Sequence, residues 1–315
     1  MSSNNNYQVS IIVATYNPIW IELKRTLLSV LLQKCVCFEI VIADDGSRKT
    51  FRENIKLLFQ QHHFDAYKIV NNLQNQGTVE NVRTGVKVAT GKYIKLISPG
   101  DFLYGEKTLY DFVDFMERTG TKLSFGRAVY YNFDAHGKLN IVKQKANPST
   151  PSAYTLEAPI SVEKFYYLIK NDLVLGAATI VERYLLDKYL DLISGKVIYA
   201  EDNCYRLMVA AGNRIVFFDS VMIFYEYGSG VSTNGNSVWT ERLKKDWHAT
   251  DKLICAQLNI EDSFDKKLKV CLEVADNKKR WLKRLLFAPY YFEFEKKEYT
   301  VCDPDFSFFN KIAGV

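Results

Sequence analysis

Gly91-Lys-Tyr-Ile-Lys-Leu-Ile-Ser-Pro-Gly-Asp101 is the stretch whose reading decides the fold. A glycine suited to ending a helix is followed by Tyr93 to Ile97, an apolar run dense in β-formers and about as long as one strand. Ser98-Pro99-Gly100 then forces a turn, and a lone carboxylate, Asp101, stands just past the strand end. In an open parallel sheet, ligands bind in the crevice beyond the carboxyl ends of the strands. A carboxylate there suits a divalent cation or a sugar hydroxyl. Taken alone, the same residues also fit a plain turn with Asp101 capping the next helix.

Working outward, the preceding residues repeat one pattern. Val9 to Val13 is a β-branched run, broken by Ala14-Thr15-Tyr16-Asn17-Pro18. From Trp20 to Lys34, Leu23, Leu27, Val30 and Leu31 share one helical face. Phe38 to Ala43 predicts a second strand ending in Asp44-Asp45-Gly46-Ser47, with Ser47 placed to cap a helix running to Gln61. Tyr67 to Val70 predicts a third, ending in Asn71-Asn72, and Gly77 opens a helix to Ala89. Leu109, Phe112, Val113 and Met116 mark another amphipathic helix. Strand and helix thus alternate four times with short links, the signature of a mostly parallel α/β sheet flanked by helices. Every strand end carries polar groups, and four such ends on one edge predict a binding crevice. No G-x-G-x-x-G or G-x-x-x-x-G-K-[ST] follows the first strand, which excludes the dinucleotide and P-loop cradles. Acidic strand ends repel a bare phosphate, so a metal-bridged diphosphate with a nucleoside attached fits better.

The 315 residues suffice for one large core or slightly more, and 48% hydrophobic with 24% charged residues is ordinary for a soluble chain. A net charge of +5 is too mild to argue for nucleic acid. Cys35, Cys37, Cys204, Cys255, Cys271 and Cys302 form no C-x-x-C pair, which suggests reduced thiols in a cytoplasmic protein without a zinc site. The polar start, Met1 to Asn6, has no signal-peptide core, and no apolar run is long enough to span a bilayer.

Beyond Lys122 the pattern loosens. Leu123 to Phe133 reads as a strand, 136–158 as loop, Ser161 to Lys170 as a helix, and Ala177 to Val181 as a short strand. Glu201 and Asp202 then stand where an apolar run meets a helix. They favour the macrodipole as first-turn acids, or one of them is a general base aimed into the crevice. Arg214 to Phe218 and Val221 to Tyr227 predict two antiparallel strands, and the Gly/Ser/Asn-rich 228–236 suits either a mobile lid or a linker.

Several of these pieces, in this order and spacing, resemble the N-terminal half of inverting glycosyltransferase family 2: Val9-Ser-Ile-Ile-Val-Ala-Thr-Tyr-Asn17, Glu39-Ile-Val-Ile-Ala-Asp-Asp-Gly-Ser47, Asn75-Gln-Gly77 with Asn81, and Gly91-Lys-Tyr-Ile94. Glu201-Asp202 resembles that family's E-D motif, so the likeness spans roughly residues 7–235. The resemblance implies a GT-A-like fold and hexosyl transfer from a nucleotide-sugar, UDP-linked, to a glycan or lipid-linked acceptor in polysaccharide assembly. It implies that Ala14, Thr15 and Tyr16 line the nucleoside, with Asp44, Asn81, Ser98 and Gly100 also at the nucleotide. Asp45 would accept from the base, Asp101 would hold Mn2+ or Mg2+, and Asp202, beside Glu201, would be the catalytic base. Where the family has two or three acids, this chain has Ser98, Pro99 and Gly100 before Asp101. That departure leaves an alternative: a nucleotide-sugar-binding protein with little turnover.

The predicted division is a catalytic domain over 1–237, with a nucleotide half at 7–118 and an acceptor half at 119–237, followed by a helical extension over 238–315. Lys278-Lys-Arg-Trp-Leu-Lys-Arg-Leu-Leu-Phe287 mixes positive charge with apolar residues. It suits either a peripheral contact with an anionic inner-membrane surface or a helix packed on the catalytic domain. Tyr166 and Tyr167 are candidates for the acceptor side. Of the four histidines, His62, His63, His136 and His248, only His248 is a candidate for a role.

Overall fold

A computed structural model of the chain describes residues 7–133, 139–142, 148–172, 174–228, 230, 237–274, 276–293 and 304–313. Its elements, in order, are β1 (Val9–Thr15), α1 (Trp20–Leu31), β2 (Phe38–Asp44), α2 (Arg52–Gln61), β3 (Tyr67–Asn71), α3 (Thr78–Val88) and β4 (Tyr93–Ile97). Then come β5 (Phe102–Leu103), α4 (Thr108–Thr119), β6 (Leu123–Phe133), β7 (Leu139–Ile141), α5 (Ile160–Lys164), β8 (Thr179–Glu182), α6 (Arg183–Ile193) and α7 (Asn203–Ala210). β9 (Val216–Glu226) is followed by α8 (Ser237–Gln257), α9 (Ser263–Glu273), α10 (Asp276–Leu286), α11 (Tyr290–Glu293) and α12 (Ser307–Ala313).

The described strands form one sheet in the order β3-β2-β1-β4-β8-β6-β9-β5, with β7 on β6. The predicted parallel half is present: β1 pairs in parallel with β2 and β4, and β2 with β3. Alternation along β1 sorts side chains to opposite faces of the sheet. Ile12 joins the core with Val41 and Val82, whereas Val9, Ile11 and Val13 join the core with Leu23, Leu27 and Phe112.

Three local expectations are revised. The helix after β2 begins at Arg52, because Asp44 captures Ser47 through its N–H at 2.8 Å and its hydroxyl at 2.6 Å. The predicted helix from Ser161 is α5 followed by a π-helical turn, Phe165–Ile169. The two strands expected near 214–227 are one strand, β9. With no glycine or proline at Asp219-Ser220 to reverse it, the chain continues parallel to β6 and absorbs the irregularity as register shifts around Arg127. β8 enters antiparallel between β4 and β6, so the sheet is mixed beyond β4.

The C-terminal helices pack back onto this sheet. Asp246 of α8 accepts from the backbone N–H groups of Ile198, Tyr199 and Ala200 at 3.0, 2.7 and 3.0 Å. Phe309 of α12 packs on Phe102, Tyr131 and Phe224. The boundary at 237 is therefore not a break in packing. Leu282 and Leu286 of α10, with Phe287 just past its end, face the core while Trp281 and Leu285 are exposed. The side chains of Lys278, Lys279 and Arg280, most of the 228–236 stretch, His136 and Cys302 lie outside the described residues. The five described cysteines are free thiols, and no described helix is long and apolar enough to cross a membrane.

Candidate functional site

The turn after β4 is clamped from three elements. Thr26 of α1 accepts from the Gly100 N–H at 3.1 Å and donates to the Ser98 carbonyl at 3.4 Å. The Tyr131 hydroxyl of β6 donates to the Gly100 carbonyl. The Glu226 N–H of β9 donates to Asp101 Oδ1 at 3.1 Å. The last contact follows from register. β5 leaves Asp101 and pairs antiparallel with β9, Phe102 opposite Phe224, which brings Glu226 over Gly100. Gly100 has φ 97°, and a Cβ there would collide with Glu226 Oε2. The residue that interrupts the acidic motif thus makes room for a carboxylate from another strand.

Asp202 reaches the same place from the far side. It precedes α7 directly, and the residues before it, 198–200, are the ones Asp246 holds. It lies over Gly176, where a Cβ would stand 3.1 Å from Asp202 Cβ. A cleft of about 340 Å³ is lined by Ala14, Ser98, Asp101, Glu201, Asp202 and Glu226, among others. That volume is within the range of small-ligand sites.

The cleft is acidic, and its charges are poorly solvated. Burial, opposed by the Glu226 N–H, pushes the Asp101 carboxyl up to about 7. Burial pushes Glu201 up as well, and repulsion from Asp202 adds to it. Asp202 is reached by solvent through the cleft yet ringed by protein, and desolvation raises it too, against the pull of Arg206. Beneath the floor lies Lys95, fully buried, donating to the carbonyls of Leu96 at 2.7 Å and Ala177 at 2.5 Å. Burial pushes its ammonium down to about 7, with Asp101 opposing.

The remaining predicted residues do not line this cleft. Thr15 donates to Asp44 at 2.9 Å, and Asn81 donates to the Ala43 carbonyl at 3.0 Å; Thr15, Asp44 and Asn81 are all buried. Asp45 is also buried; it accepts from Asn72 at 2.8 Å and from the N–H groups of Gln76 and Gly77 at 3.0 and 2.9 Å. Gly77, at φ 94°, packs against Ile198. Tyr16 is exposed. Asp101 and Asp202 thus share a cleft, while Asp45 latches the 72–77 loop beside it.

Three residues of the site escaped sequence reading. Glu226 and Lys95 looked like ordinary strand residues, although a lysine inside an apolar strand was a usable signal. Trp247 of α8 lines the cleft from the region expected to lie outside it.

This architecture, a mixed sheet flanked by helices with acids at the strand ends, resembles GT-A glycosyltransferase structures. S. aureus TarS 1–349, solved with UDP, superposes with a TM-score of 0.51 at 16% identity, over 87% of this chain and 78% of that one. The mannosyltransferase PcManGT from Pyrobaculum calidifontis, solved with GDP-Man and Mn2+, gives 0.55 at 13% identity, over 93% and 77%. Residues 10–155 match the model of the family Glycosyl transferase family 2. An uncharacterized glycosyltransferase of Rickettsia conorii is 29% identical over 135 residues, 42% of this chain and 21% of that protein. The chain spans about a fifth of the length of the curated relatives it matches.

Gly100→Ala should lower stability by about 1–3 kcal/mol, from a left-handed backbone and the Glu226 collision together. Adding Glu226→Ala should recover part of that loss. Urea unfolding of the double-mutant cycle checks this, and strict additivity would contradict the packing described.

Proposed function

We propose that the chain is an inverting glycosyltransferase, moving a sugar from a nucleotide-sugar, UDP-linked, to an acceptor hydroxyl in polysaccharide or lipid-linked glycan assembly. The observation that carries this reading is the meeting of Asp101 and Asp202 in one cleft beyond the strand ends. The presence of UDP in TarS and of GDP-Man with Mn2+ in PcManGT supports it.

In this reading the diphosphate lies over the Ser98–Asp101 turn, and the nucleoside extends toward Ala14, Thr15 and Tyr16. Asp101 and Glu226 are the residues that would hold a divalent cation, their hard carboxylate oxygens being the right donors. Among the described residues no three acidic or histidine side chains are grouped to bind a metal, so phosphate oxygens would complete the shell. A bound Mn2+ or Mg2+ would neutralise charge on the departing diphosphate. Asp202 takes the proton from the acceptor hydroxyl as its oxygen attacks the anomeric carbon opposite the leaving group, which inverts the configuration. Burial and the charge of Asp202 hold the proton on Glu201 beside it, while burial itself raises the basicity of Asp202. The binding-only alternative rested on a thinned acidic motif, and Glu226 weakens that ground.

Asp202→Asn should lose roughly 10²–10⁴-fold in turnover, the usual worth of a general base, while its affinity for UDP is retained. Because its folded pKa is raised, Asp202 is protonated, hence inactive, below that value. The wild-type rate should therefore fall as pH drops toward the ordinary carboxylate range, with the limb above the pH of a solvated aspartate because burial raises Asp202. Near-normal transfer by Asp202→Asn would reject its role. No UDP-sugar hydrolysis or transfer by the wild type with Mn2+ would favour the binding-only protein.

We also propose that α10 meets an anionic leaflet, since Trp281 and Leu285 are exposed beside the exposed Arg284. Co-sedimentation with phosphatidylserine-rich vesicles at low salt, weakened by Trp281→Ala, is expected. Equal sedimentation with neutral vesicles, or none, would remove the proposal.

A further inference from the structure

Behind Asp202 the cleft continues into two further recesses. A chamber of about 60 Å³ is lined by Tyr167, Asp172, Asp202, Asn203, Arg206 and Trp247, among others. Past it, a recess of about 410 Å³ is lined by Arg206, Lys244, Trp247, His248, Asp251 and Lys283, among others. Trp247 borders all three spaces.

This wall is short of acceptors. Arg206 is 5% exposed and Asn203 2% exposed. Arg206 Nη2 donates to Asp251 at 2.8 Å, but its Nε and Nη1, and the Asn203 amide nitrogen, have no hydrogen-bond partner among the described residues. Buried donors left in that state are costly unless a ligand or water completes them. The guanidinium is 4.2 Å from the centroid of the Trp247 ring, which is only half-buried. The orphan nitrogens are sealed from solvent.

Charge sorts along the same path. Near Asp202 the other acid, Asp172, is engaged through both oxygens by Ser149, Thr150 and Tyr154. The outer recess is lined by Arg206, Lys244 and Lys283 together with Asp251; Asp251 is bonded to Arg206, and Lys244 pairs at the rim with Glu241 at 2.8 Å.

We propose that these two recesses form the acceptor subsite and select an acceptor glycan carrying a carboxylate or phosphate beyond the hydroxyl that Asp202 deprotonates. The inference rests on the glycosyltransferase reading for the identity of the ligand as an acceptor. In this proposal the Trp247 ring moves aside to stack on a sugar face, the orphan donors of Arg206 and Asn203 bind the acceptor's oxygens, and Lys244 exchanges Glu241 for the acceptor's anion at the rim.

The test titrates the full chain with three probes, tetragalacturonate, a glycerol-phosphate oligomer and neutral maltotetraose, reading tryptophan fluorescence and calorimetric Kd, with UDP and GDP titrated in parallel. At least one anionic probe should bind roughly 10-fold or more tighter than maltotetraose, as expected when buried charged donors find acceptors. Arg206→Lys should weaken that probe by about 10-fold or more, because a single ammonium cannot replace the fork. Lys244→Ala, on the exposed rim, should weaken it about 2–5-fold. If Arg206→Lys fails to fold, Lys244→Ala and Trp247→Phe decide. Equal affinity for maltotetraose, no binding of any probe, or variants that bind like the wild type would each overturn the subsite. Anion binding without UDP or GDP binding would instead overturn the transferase reading and leave an anion site standing.

Discussion

A buried ammonium joins the two halves of the site. Lys95 interrupts an otherwise apolar strand, β4, and is fully sealed from solvent. An isolated buried charge is expensive, so its hydrogen-bonding hydrogens must find acceptors inside the protein. They find the carbonyls of Leu96, on its own strand, and Ala177, on the turn beside Gly176 over which Asp202 lies. One side chain thereby ties the strand that delivers Asp101 to the turn that supports Asp202. When charged it also opposes the desolvation of Asp101, as Arg206 does for Asp202 on the other side of the cleft.

The second support comes from the end of the chain. Residues 10–155 carry the family match, but Glu201, Asp202, Glu226 and Trp247 all lie beyond it. Asp246 holds the approach to Glu201 and Asp202 through three backbone N–H groups, and Phe309 packs against Tyr131, whose hydroxyl holds Gly100. The helices that looked like an appendage are braces for both acids.

What could be read from sequence was what is local. The β-branched run at Val9, the amphipathic spacing of α1 and the polar strand ends led to a parallel half-sheet with a crevice at its edge. The Ser98–Asp101 turn and the Glu201-Asp202 pair led to the two acids. Long-range pairing was not legible. β5 is two residues long and carries no periodicity, so nothing in the sequence announced that it would bring Glu226 over Gly100. β9 read as two strands because the glycine that makes room for its irregularity, Gly126, lies on β6, far away in sequence, where a Cβ would meet the Ser220 carbonyl. Ser47 satisfied every local rule for a helix cap, yet Asp44 captured it first. Asp45 is recognisable as a motif residue, but its three bonds to Asn72, Gln76 and Gly77 appear only when distant segments meet.

The most direct measurement is a crystal structure of the full chain grown with UDP and Mn2+, with anomalous data collected at the manganese edge. The expected result is a manganese peak about 2.0–2.6 Å from an Asp101 oxygen, with Glu226 at the same ion, the diphosphate bridging it, and Asp202 facing the open end of the phosphate. Manganese and nucleotide bound on another surface, or a diphosphate lying away from both Asp101 and Asp202, would contradict the shared cleft.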